Sequence, residues 1–177
     1  MMTLPTYSII ARALTSEEPL EARLDACFHV LHSALPHLDV RLTVWDGAGG
    51  TSRAFSPLGS ERVRWDNARV TQVARRRQPL VLDQPSAPAL PPAPWTGAAA
   101  QPAVQPTDGP SYMGLPVQWE GRLWGVLEVR RSGTFTAGER TLIGGVLPLL
   151  AAAIGEEQWG RHADTAAIEY PLDLRAL

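Results

Sequence analysis

The sequence predicts an α+β fold in which strands joined by tight turns pair antiparallel and helices flank them. Three observations carry this. Two apolar segments, residues 112–119 and 123–129, are rich in β-branched and aromatic residues and are separated only by Glu120-Gly121-Arg122, where Gly121 supplies the positive φ of a tight hairpin. Thr136-Ala137-Gly138-Glu139 has capping-box spacing and marks a helix start. Leu20, Leu24, Cys27, Phe28, Leu31 and Leu35 recur at helical spacing and make one apolar stripe near the other end.

Taken in order, residues 1–15 are mixed and read as a lead-in segment. Ser16 is a candidate cap for the helix carrying the apolar stripe; Pro19 is tolerated near its start and Pro36 ends it. Val40–Trp45 alternates as a half-buried strand, and a Gly-rich turn at 46–50 leads to a second strand around Arg53-Ala54-Phe55. Asp66 or Asn67 can cap a short helix ending at Arg75-Arg76-Arg77, and Leu80-Val81-Leu82 forms the next strand. Residues 84–110 differ in kind, holding eight of the sixteen prolines and seven alanines with almost no charge. That composition leaves two readings open: a flexible excursion with polyproline character, or a lid in which Trp95 covers something. The working division is a lead-in at 1–15, one domain at 16–160 and a tail at 161–177.

At 177 residues the chain is long enough for one domain with a real core. A net charge of −2 and a pI near 6.1 give no electrostatic reason to expect nucleic acid. The single cysteine cannot form an intrachain disulfide and fits a reducing compartment, hence a cytoplasmic expectation. No run approaches the roughly 18 apolar residues of a membrane span, and the start lacks a signal-peptide pattern, so no membrane partner is expected.

Candidates for chemistry are few. Cys27 sits inside the apolar stripe, where a packed thiol is expected rather than a reactive one. His29 and His32 are three apart on a helix, but no further ligand pattern completes a metal site, so none is expected. The run Arg75–Arg77 suits a helix C-terminus. No nucleophile and base pair can be placed, so the chain is expected not to be an enzyme.

The stretch from Leu115 to Glu139 resembles the C-terminal half of a GAF domain. Leu115, Pro116, Val117, Gly121, Leu123, Gly125, Val126, Leu127, Val129, Phe135 and Glu139 match that family's pattern before its final helix, and residues 70–74 and 79–83 resemble its short helix and following strand. The resemblance spans roughly residues 17–158. It implies a PAS-related α+β fold with a central antiparallel sheet of five to six strands and the N- and C-terminal helices packed on one face. The subtypes with known chemistry match less well. Free methionine sulfoxide reductases use several cysteines, bilin-binding domains carry a His and an Asp-Ile-Pro run, and the cyclic-nucleotide signature needs a Lys that this chain lacks.

Strict alternation sends Leu123, Gly125, Leu127 and Val129 to the helix side with Leu42 and Val44. The opposite face should then bring Arg41, Trp45, Trp124 and Glu128 to the family's ligand side, with Trp95 as a possible cover. A rival reading pairs Glu128 with Arg41 or Arg53 on a solvated face. The expected function is a sensory or regulatory module binding a small molecule of unspecified identity, with a ligand-free docking module as the alternative. With no output domain after the last helix, a partner protein is expected to receive the signal. Residues Leu142–Ile154 carry no charge, so an uncovered second side is expected to form a homodimer; the rival is coverage by Ile9, Ile10 and Leu14 or by the tail.

Overall fold

The computed structural model describes residues 4–45, 52–63, 68–83 and 110–169. Six strands form one sheet: β1 (Asp39–Trp45), β2 (Ser52–Ser56), β3 (Gly59–Val63), β4 (Leu80–Leu82), β5 (Ser111–Trp119) and β6 (Arg122–Arg131). Their order is β3-β2-β1-β6-β5-β4 and every neighbouring pair is antiparallel. Four helices accompany them: α1 (Leu4–Leu14), α2 (Leu20–Ala34), α3 (Ala68–Arg76) and α4 (Ala137–Glu169). The α+β class, the antiparallel sheet and the strand count agree with expectation.

The register explains the core. Leu42 stands opposite Phe55 on one side and Leu127 on the other, and Leu127 faces Leu115, so four strands set one apolar row side by side. Val40, Val129 and Met113 form the row before it, and Val44, Gly125 and Val117 the row after. Buried residues of α1, α2 and α4, among them Ile10, Leu14, Leu24, Phe28, Val146, Leu150 and Ile154, close over these rows in one cluster. Burying a leucine or phenylalanine side chain is worth about 1.5–3 kcal/mol, so this face holds most of the fold's driving force.

Local chemistry sets the joints. Glu120 (φ 49°) and Gly121 (φ 75°) form the two-residue β5–β6 turn, both with the positive φ that such hairpins need. The capping box forms as spaced: the Thr136 amide donates to Glu139 Oε2 at 2.6 Å and the Glu139 amide to Thr136 Oγ1 at 3.3 Å. His37 Nε2 lies 2.5 Å from Glu139 Oε1, and Arg131 also pairs with that carboxylate, tying α4 to β6 and to the loop before β1.

The structure adds to these expectations and corrects some of them. Within the expected lead-in, residues 4–14 form helix α1; Ile10 and Leu14 are buried and Tyr7 Oη donates to the Thr141 carbonyl at 2.7 Å, fastening α1 to α4. Ser16 does not cap α2: Pro19 stands at the N-cap, and the Ser16 hydroxyl donates back to Ala13 O at 3.0 Å. Strand β3 had no apolar alternation to announce it, being the polar run Gly-Ser-Glu-Arg-Val on a sheet edge. Helix α4 runs to Glu169, across the division expected at 160. Its segment Ala137–Glu157 is long and apolar enough to cross a membrane by length and composition, yet Leu142, Ile143, Val146, Leu150 and Ile154 are buried within this fold. The candidate caps Asp66 and Asn67, and the Pro/Ala-rich stretch apart from Pro110, lie outside the described residues.

Candidate functional site

The sheet face turned away from α1, α2 and α4 carries two different neighbourhoods. Toward β5, helix α3 lays Val70 and Val73 on Val126, with Trp45, Ala74 and Leu80 packed around them. Toward β3 no helix among the described residues covers the sheet, and a cleft of about 470 Å³ opens over β1, β2, β3 and β6, a volume within the range of small-molecule sites.

Its chemistry comes from alternation. Asp39 and Arg41 on β1 and Glu128 and Arg130 on β6 point to this face, and Arg41 stands directly opposite Glu128 while Asp39 stands opposite Arg130. The two-residue β2–β3 turn adds the wholly exposed Leu58, and β3 adds Glu61. Arg41 donates to Glu61 Oε1 at 2.8 Å, a pair open to solvent. Arg130 reaches Glu128 Oε1 only at 3.5 Å, and that pair is asymmetric: 4% of the Glu128 side chain is exposed against 40% of Arg130.

Next to the cleft, Tyr112 is fully buried beside Glu128, with the Arg69 guanidinium 5.0 Å from its ring centroid. Burial, and then the neighbouring Glu128 charge, push the pKa of the Tyr112 hydroxyl well above the ordinary phenol value, so it stays protonated. Gly114 makes this arrangement possible, since a Cβ there would lie 2.7 Å from Tyr112 Oη and 2.8 Å from Val73 Cγ2.

Of the residues expected on the ligand side, Arg41 and Glu128 line the cleft. Trp45 is on the same face but packs into the cluster under α3. Trp124 does not join them. The β5–β6 register shifts between Val117 and Gln118, leaving Trp124 as an extra residue; the bulge turns it into the helix-side core, where it is buried beneath Arg122 at 4.6 Å. Trp95 lies outside the described residues. Arg53 pairs with Glu21 of α2, so the pairing weighed for Glu128 falls to Arg130 instead. Asp39, Glu61 and Arg130 escaped sequence reasoning; Arg130 was legible as the residue two after Glu128 on the same face, whereas Glu61 depended on the unrecognised strand β3.

Cys27 is buried and its thiol is pushed up to about 12 by that burial, as suits a packed residue. His29 and His32 are exposed on α2, and among the described residues no three of His, Cys, Asp and Glu gather as a metal-ligand set.

The sequence profile of GAF domains matches residues 19–154, well over half of the chain. The chain belongs to the GAF domain family. Helix α1 lies outside that match. Comparison with curated protein sequences gave no match. Among solved structures, the GAF domain of an Acinetobacter phosphoenolpyruvate-protein phosphotransferase superposes with a TM-score of 0.63 at 16% identity, covering 92% of this chain and 99% of that one. The corresponding domain from Coxiella burnetii gives a TM-score of 0.63 at 21% identity over 90% and 96%. The free methionine-R-sulfoxide reductase of Neisseria meningitidis, solved with its substrate, gives 0.59 at 16% identity over 90% and 96%. Likeness at such identities establishes the fold alone. It also corrects one expectation: this GAF fold is shared with enzymes, the reductases of Neisseria and Staphylococcus aureus among them, so the exclusion of catalysis does not stand.

Proposed function

We propose that this GAF domain is a sensory or regulatory module that binds a small molecule in the cleft over β1, β2, β3 and β6 and signals through its terminal helices to a partner protein. One observation carries the reading: an almost sealed carboxylate, Glu128, forms the floor of an otherwise open, charged cleft. A buried charge is costly to keep unless it has work or a partner, and sites with such groups are where binding concentrates. The lone buried thiol fits a reducing compartment such as the cytoplasm.

The same helices are proposed to pair two copies of the chain. Helix α1 covers part of α4, which leaves Gly144 and Pro148 exposed and Leu147 and Leu149 half-buried, with exposed Ile9 nearby on α1. The ligand-free docking reading draws on a different observation, that the cleft's arginines already have carboxylate partners within the chain.

Native mass spectrometry of the protein purified from its own host tests both points. A reproducible small-molecule adduct on a dimer, lost in a Glu128→Gln variant, is the expected result. A bare chain that no metabolite stabilises against heat overturns the ligand reading, and a 19.2 kDa monomer at micromolar concentration overturns the pairing.

A further inference from the structure

The asymmetry of the Arg130–Glu128 pair narrows the class of ligand, on the assumption that the cleft is a ligand site. We propose that the ligand carries a protonated nitrogen, an ammonium or guanidinium, which seats on Glu128 and takes over the contact now made by Arg130. At 3.5 Å that contact is long for a charge-assisted hydrogen bond, whose usual range is about 2.7–2.9 Å. The two partners also differ in what they lose on separation. Arg130, 40% exposed, can turn its guanidinium into water. Glu128, at 4%, cannot.

An anionic ligand would recruit Arg130, or compete for Arg41, and take a counter-charge away from the buried carboxylate. Stripping one partner from a buried pair is the costly direction. A cationic group does the opposite, giving Glu128 a replacement charge and releasing only the arginine that water can accept. The formal charges agree: Asp39, Glu61 and Glu128 against Arg41 and Arg130 leave the lining one negative charge in excess. A monocation neutralises it, whereas a monoanion would double it. Buried Ala54 and exposed Leu58 offer apolar contact to the stem that carries the nitrogen.

Two sources share this chemistry. A simple amine would use Glu128 alone, whereas an α-amino acid would place its carboxylate on the freed Arg130. Calorimetry on the full chain distinguishes them, with putrescine and agmatine as simple amines, glycine and leucine as zwitterions, and acetate and phosphate as anions. At least one amine-bearing probe should bind, and Glu128→Gln should weaken it about thirty-fold or more. Arg130→Gln should bind a simple amine as well as or better than the parent, because the internal competitor is gone, and should weaken a zwitterion. A residue with a merely structural role would not split the two classes, and this second variant serves where Glu128→Gln fails to fold. Binding of acetate or phosphate with the amines inert overturns the ligand class but leaves the cleft as a site, whereas amine binding indifferent to both substitutions overturns the seat on Glu128. If no molecule of any class binds, the cleft reading falls and the ligand class with it.

Discussion

On the helix-covered face Leu42, Phe55, Leu115 and Leu127 stand in one row, sealed by three helices. One residue along the same strands, the opposite face sets Arg41, Glu128, Gly114 and Leu80 side by side. The two rows share β1, β6 and β5 in one register and differ there only in which way the side chains point. The first is organised by volume, so any vacancy costs transfer free energy plus a cavity. The second is organised by charge and by space, where an exposed partner can leave at little cost and only buried members are constrained. A single sheet can therefore separate the residues that make it fold from those free to recognise something.

The sharpest break with this division would come from the helix side. Phe28→Ala, at a fully buried position, should lower stability by about 3–5 kcal/mol in denaturant titration. A loss under 1 kcal/mol would show that the driving force lies elsewhere.

Next in size is the joint at the start of α4. Burial alone would raise the Glu139 carboxyl, but hydrogen bonds from His37, from the Thr136 amide and hydroxyl and from Arg131 outweigh it and hold the group at about 2 against an ordinary 4.5. A carboxyl depressed on folding stabilises the protein above its unfolded value and loses that contribution as pH falls toward its folded one. Stability should therefore drop between pH 4.5 and 2 by on the order of 2–3 kcal/mol through this group. Glu139→Gln should flatten that part of the profile; an unchanged slope would mean that other carboxylates govern acid unfolding.

On the cleft side, Gly114→Ala should cost about 1–3 kcal/mol by forcing apart Tyr112 and Val73. Its tyrosine fluorescence or aromatic NMR signals should change while α2 stays intact. The smallest effect belongs to Arg41→Ala, which breaks an exposed pair and should change the melting free energy by less than about 0.5 kcal/mol. A larger loss would mean that the open half of the sheet bears on folding after all.

What was legible in the sequence follows from how local each signal is. The β5–β6 turn and the α4 capping box are set by residues within four positions of one another, and both form as spaced. The apolar stripe of α2 needs only its own periodicity. Strand β3 was hidden because an edge strand facing solvent has no need of apolar alternation. Among its described side chains helix α1 carries just two deeply buried ones, Ile10 and Leu14, too few to stand out from a mixed segment. Trp124 was misplaced for a subtler reason: the bulge that turns it is a mismatch between two strands, and neither strand alone contains it. Of the cleft, Arg41 and Glu128 were readable from alternation, whereas the length and asymmetry of the Glu128–Arg130 contact depend on how strands far apart in the chain come to lie together.

Cys27 has a use that its chemistry alone does not suggest. It is the one thiol in the chain, sealed in the helix-side core with its acidity suppressed, so a soluble alkylating reagent can reach it only when that core opens. Its labelling rate is therefore a built-in clock of unfolding that needs no engineered probe. The clock sits on the far face from the cleft, and a molecule bound there slows it only by holding the whole domain folded.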